Sequence, residues 1–210
     1  MPAAPQARPR RDSAPGAPPR EHRRPPRERL LRAATRLFYR HGITAVGIDA
    51  VVAEAQVAKM SLYRQFGSKD DLVAACLERL DRLYHDWFVE QVEKRCEPAR
   101  DRLLTAFDVI DEWIHSDGFR GCAFINSAVE LADPQHPAHS AVLAHKQRDR
   151  GYLEVLATQA GAPDPAALAR QLMLLLEGAI VTALVQGDRD AARDARAVAG
   201  DLLAARLPDP

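Results

Sequence analysis

Residues 48–69, IDAVVAEAQVAKMSLYRQFGSK, restrict the fold more than any other stretch of the chain. Ile48, Val51, Val52 and Ala55 follow the i, i+3, i+4, i+7 spacing of one helix face. Gln56-Val57 interrupts that pattern, and a second short helix fits from about Lys59 to Gln65. Leu62 and Phe66 are four residues apart, so they share a face and can pack back on the first helix. Lys59, Met60, Ser61, Tyr63 and Arg64 are then left facing outward. Two short helices joined by a tight turn, the second with a basic and polar outer face, form a helix-turn-helix. A helix of that size fits the major groove of DNA.

The flanks read as helices too. One runs from Pro26 or Arg27 to His41, with Leu30, Ala34, Leu37 and Phe38 on its buried face and Gly42 as its stop. Downstream, Gly67-Ser68 breaks the chain, and Ser68 with Asp71 three residues on reads as a capping box. The helix it opens runs from Lys69 to about Arg95, with Leu72, Cys76, Leu80, Leu83 and Trp87 along one side, and connects the helix-turn-helix to the rest of the chain. From Pro98 onward every segment is helical. The segments end near Gly118, Asp133 and Ala160; Asp164-Pro165 starts a very apolar helix, and Gly187-Asp188 ends that one and caps an alanine-rich last helix. No stretch alternates with the period of a strand. The expectation is an all-α chain of about nine helices: a disordered Arg/Pro-rich tail over 1–26, a three-helix helix-turn-helix domain over 27–76, and a larger helical domain over 77–210.

The runs Gly42-Ile43-Thr44, Ile48-Asp49 and Val57-Ala58-Lys59-Met60-Ser61-Leu62-Tyr63-Arg64-Gln65-Phe66-Gly67-Ser68-Lys69-Asp70-Asp71-Leu72 resemble the DNA-binding domain of TetR-family transcriptional regulators. The resemblance covers roughly residues 27–76 and is most specific in LYR-x-F-x-SK-x-x-L. It implies DNA contacts by Thr44, Gly47, Lys59, Met60, Ser61, Tyr63, Arg64 and Lys69. It also implies a homodimer through the last two helices, a palindromic double-stranded operator and a small-molecule effector. Two positions depart from the family pattern. Val46-Gly47 stand where a Thr-Ser pair usually caps the helix and touches a phosphate, and Gln56 replaces the glycine of the turn. A hydroxyl cap contributes about 1 kcal/mol, which Val46 does not supply; Thr44 or the Gly47 backbone is the expected substitute.

Charge supports the same end of the molecule. The whole chain is neutral, with 29 basic and 29 acidic residues. Residues 1–29 hold eight arginines against three acidic residues. With eight prolines before Arg27, the tail has no apolar period to bury. It is either a solvated extension or an arm that follows the phosphate backbone or enters the minor groove. No apolar run is long enough to read as a membrane span or signal h-region, so a cytoplasmic protein is expected. Three cysteines, Cys76, Cys96 and Cys122, are odd in number and lack metal-ligand spacing.

Enzymatic and metal chemistry find no support. The densest polar cluster, Asp133-Pro-Gln-His136-Pro-Ala-His139 with Glu130 and His145 nearby, reads as loop and helix-start residues. There is no phosphate loop, nucleophile elbow or HExxH helix, so no catalytic residue, metal or cofactor is expected. Arg120–Asn126, RGCAFIN, resembles a GC-x-F-x-N segment in the cavity-lining helix of one group of these regulators. Cys122 there is either a buried structural thiol or a redox sensor, the second requiring access and a lowered pKa. Phe107, Trp113, Cys122, Phe124, Asn126, Tyr152, Met173 and Glu177 are the candidate effector pocket, apolar walls with a few polar groups.

Overall fold

The computed structural model describes residues 24–96 and 98–208, and among these there are nine helices and no strand. They are α1 (Pro26–His41), α2 (Ile48–Ala55), α3 (Lys59–Phe66), α4 (Lys69–Glu93), α5 (Ala99–His115), α6 (Ala123–Leu131), α7 (Ala138–Gln159), α8 (Pro165–Gln186) and α9 (Ala191–Arg206). The all-α expectation and its helix boundaries hold to within a few residues. The tail expected to be disordered lies outside the described residues, apart from Arg24 and its neighbours.

Contacts divide the chain into two units, and the division is not a single cut. The N-terminal unit comprises the chain through Leu80 together with Ala123–Val142; the C-terminal unit comprises Asp81–Cys122 and the chain from Leu143 on. Helices α4 and α7 therefore contribute to both, and α6 belongs wholly to the first.

In the N-terminal unit, α1 packs on α2 and α3. Leu30, Ala34, Val51, Leu62 and Leu72 lose all their exposure there. Truncating such a leucine to alanine typically destabilises by about 2–5 kcal/mol. Cys76 joins this core with its thiol near the Leu31 carbonyl, and burial pushes the thiol up to about 12, which keeps it protonated and unreactive. The Arg27 guanidinium stacks over the Phe66 ring, 5.1 Å from its centre. Ser68 caps α4 as expected: its Oγ accepts the Asp71 N–H at 3.0 Å and donates to Asp71 Oδ2 at 2.6 Å.

In the C-terminal unit, α5 packs on α8 and α9, and its Leu103, Phe107, Ile110 and Trp113 are buried. Asp164 caps α8 by accepting the Ala167 N–H at 2.9 Å, with Pro165 in the first turn. Alanines 192, 195 and 199 let α9 approach closely. The expected cap of α9 by Asp188 is replaced by a local turn in which Asp188 Oδ1 accepts the Asp190 N–H at 3.0 Å. Helix α8 also corrects the expectation about apolar runs. Within its 22 residues an 18-residue window reaches a mean hydropathy of 1.7, enough by length and composition alone to cross a membrane. Its packing is that of a core helix: Leu168, Leu172, Leu176, Ala179 and Ala183 are buried within the unit.

Candidate nucleic-acid interface

The turn between α2 and α3 is built without its usual glycine. Gln56 adopts φ 53°, ψ 47°, the left-handed conformation that a side chain disfavours, and the Val57 N–H bonds back to the Val52 carbonyl at 3.1 Å. Arg29 of α1 donates to the Gln56 carbonyl at 2.6 Å, tying the strained residue to the scaffold. The turn keeps its shape through this outside support.

Helix α3 then presents the face that the sequence leads one to expect. Leu62 and Phe66 are buried, Lys59, Met60, Tyr63 and Arg64 are exposed, and Ser61 is half-buried. Met60 is 62 % exposed, between the exposed Lys59 and the half-buried Ser61. One contact was not legible in the sequence. Lys59 Nζ lies 2.8 Å from Asp49 of α2, and this hydrogen bond and the charge behind it raise the lysine above its ordinary value. Both groups are exposed, so the pair is weakly held and Lys59 can exchange it for another acceptor.

At the start of α2, Gly47 is the N-cap with extended backbone and no side-chain cap forms. Val46 is buried instead, exchanging the family's hydroxyl for a core contact. Thr44 does not cap α2 either. Its N–H donates to Glu130 Oε1 at 2.5 Å, and the Ile43 N–H donates to Glu130 Oε2 at 2.9 Å. Burial pushes the Glu130 carboxyl up, but the Thr44 and Ile43 amides, the Thr44 hydroxyl and the Lys69 charge outweigh it and hold the group below its ordinary value. Lys69, half-buried in the first turn of α4, thus has a carboxylate in its field.

The candidate effector residues fall in separate surroundings. In the C-terminal unit, Phe107 is fully buried, and Trp113 and Tyr152 belong to one aromatic cluster through Tyr84 and Phe88, with ring centres 5.8–6.1 Å apart at each step. Cys122 and Glu177 meet at Lys146, whose Nζ is 3.7 Å from the thiol and 2.9 Å from the carboxylate. Met173 is half-buried on α8. Phe124, buried, and Asn126, half-buried, lie on α6 in the other unit. An open surface groove of about 570 Å³ in the C-terminal unit is lined instead by His85, Asp86, Val89, Glu90, Glu93, Lys94 and Arg102. The polar residues around 133–145 disperse: His136 approaches Asp70 at 3.4 Å, and His145 is buried between Asp81 and Asp149. Among the described residues no group of three or more His, Cys, Asp and Glu has the arrangement of a metal site.

Comparison with known proteins agrees with this geometry. Residues 30–76 match the family model of bacterial regulatory proteins of the tetR family, and residues 99–199 match the tetracyclin repressor-like C-terminal domain. The crystal structure of SCO4454, a TetR-family transcriptional regulator from Streptomyces coelicolor, is 38% identical, with TM-score 0.78 over 86% of this chain and 95% of that one. The transcriptional regulator YjdC of Escherichia coli is 25% identical over 177 residues, 84% of this chain and 93% of YjdC. The E. coli transcriptional repressor NemR is 28% identical over 117 residues, 55% of this chain and 59% of NemR. The α2–turn–α3 arrangement and the helical make-up of the C-terminal unit agree with these matches. The chain belongs to the TetR family of helix-turn-helix transcriptional regulators, non-enzymatic proteins that bind DNA through this motif.

Proposed function

We propose that the protein is a cytoplasmic, homodimeric repressor that holds a palindromic operator and releases it when a small molecule binds. The observation that carries this reading is the exposed face of α3, where Met60 and the basic and polar residues beside it stand ready for a groove. In this reading Lys59, Met60 and Ser61 meet base edges. Thr44, Gly47, Tyr63, Arg64 and Lys69 hold the phosphate backbone, which carries affinity while base contacts carry specificity. The arginines of residues 1–23 add a sequence-independent attraction to the same DNA.

Dimerisation is supported by a second apolar face on α8. Leu174, Val181, Leu184 and Val185 point away from the core and remain exposed, joined by Val198 on α9. One recognition helix reads only a few base pairs, whereas two about 34 Å apart read a palindrome. Repression follows the sense of the relative NemR. The effector would act among the candidate pocket residues of the helical body, favouring a conformer whose two α3 helices no longer match successive grooves, with α4 carrying the change.

The test is selection of bound sequences from random duplex DNA at two salt concentrations. A palindrome with half-sites about one helical turn apart is expected. Lys69→Ala should weaken binding to all sequences alike, and Ser61 or Met60 substitutions should shift preference. Enrichment of no sequence, with binding lost at moderate salt, would refute operator recognition.

A further inference from the structure

We propose that Glu130 is a positioning residue for DNA binding: from the last turn of α6 it holds the α1–α2 loop and so sets where α2 and α3 lie. The inference rests on DNA binding through the helix-turn-helix. Glu130 stands 86 residues beyond Thr44 in the sequence, outside the stretch that matches the family's DNA-binding model, yet both belong to the N-terminal unit.

The geometry is that of a two-point clamp. Each carboxylate oxygen accepts one amide, Ile43 at 2.9 Å and Thr44 at 2.5 Å. Such charge-assisted bonds are about twice as strong as neutral ones. The loop is shaped to receive the clamp. Gly42 sits at φ +87°, a conformation that favours glycine, and a Cβ there would crowd Glu130 Oε1 at 3.0 Å and push the carboxylate off its amides. Burial of Ile43 and Val46 holds the apolar side of the loop, and the clamp holds the amides of Ile43 and Thr44, while Gly47, the N-cap of α2, has no side-chain cap bond. Four residues after Thr44 the chain enters α2, and α2 leads through the turn into α3. A shift of the clamp therefore moves the reading head as a body.

The clamp also reports on α6. That helix begins at Ala123, two residues after Gly121, whose φ of +74° and close approach to the Leu184 side chain tie the preceding segment to α8 within the C-terminal unit. The chain thus leaves one unit, makes the clamp, and returns through α7.

The experiment compares the wild-type full chain with Glu130→Gln and Glu130→Ala on two duplexes, the selected operator and a random sequence of equal length. Glutamine keeps the size and helix propensity but has one acceptor oxygen, and its NH₂ opposes the other amide. The expected result is operator affinity reduced about tenfold or more by either variant, as for loss of one charged hydrogen bond, with affinity for the random duplex, which loses only the backbone contacts of this loop, reduced by a clearly smaller factor. The Ile43 and Thr44 amide resonances should move upfield in the same variants while those of α5 stay in place. A purely structural role would lower binding to both duplexes in proportion to the fraction unfolded. Unchanged operator affinity, or equal loss on both duplexes, overturns the proposal. Failure of the wild-type chain to prefer any operator would instead overturn the operator reading on which it rests.

Discussion

Gln56 pays for the missing turn glycine in backbone strain. Its left-handed conformation is held by the Arg29 guanidinium on its carbonyl and by the reverse hydrogen bond from Val57. Gln56→Gly should relieve the strain at the expense of a more flexible unfolded chain, for a net gain of about 0.5–1 kcal/mol. Thermal unfolding checks this: the melting temperature should rise by about 2–4 °C per kcal/mol in a chain of this size. Arg29→Ala should remove the outside support in the wild-type background and matter much less once glycine is present. At this scale the sequence was readable where chemistry is local. Ser68 with Asp71, Asp164 with Pro165, and the substitution at 56 all announce themselves within four residues. Asp49 with Lys59, and Glu130 with Ile43 and Thr44, do not, because nothing in a one-dimensional pattern relates residues that only the fold brings together.

Between elements, the junction of α4 and α7 holds an unusual polar file within the C-terminal unit. His145 is 2 % exposed, with Nδ1 3.1 Å from Asp81 and Nε2 3.2 Å from Asp149; Arg148 reaches Asp81 at 3.0 Å, and His85 stands 3.6 Å from Asp149. Burial, aided by the charges of Lys146, His85 and Arg148, lowers His145 to about 2, and burial raises both carboxyls. A neutral imidazole has one N–H, so one carboxyl must carry the proton of the second bond. In the unfolded chain His145 takes up a proton near 6.5, while the folded chain resists until far lower. Stability should therefore fall as pH drops below about 6.5, by at most about 1.4 kcal/mol per pH unit from this group. The raised carboxyls act in the opposite sense, their contribution being lost as pH rises through their folded values. Urea midpoints at pH 7.5 and 5.5 should separate further in the wild type than in His145→Gln; equal separations would exclude His145 as the source. Helical periodicity located every element that meets here, since apolar spacing is set by each helix alone. It marked His145 only as one polar residue among several, because burial of a histidine depends on the helix opposite.

For the molecule as a whole, the chain leaves a set of apolar residues on the outer side of α8 uncovered: Val185 is 74 % exposed and Leu174 69 %. Val185→Glu should place a charge in the proposed dimer face, leaving a chain that runs as a monomer by light scattering. Its operator affinity should fall by about a hundredfold or more, since two half-sites no longer act together. A dimer that survives both Val185→Glu and Leu174→Glu would move the interface elsewhere. The composition of the last two helices foretold an apolar surplus, but which side of α8 faces the core and which faces out required the positions of α5 and α9.

The looping of Ala123–Val142 into the N-terminal unit bears on how such regulators can be recombined. A hybrid made by joining this reading head to another sensor body at one point near residue 80 would carry every side chain assigned to DNA and still lack the carboxylate that anchors its loop. A working transplant needs two pieces, the head and the excursion through α6. On the Glu130 proposal, a residue change in α6 retunes DNA affinity without altering any residue in the family's DNA-binding stretch.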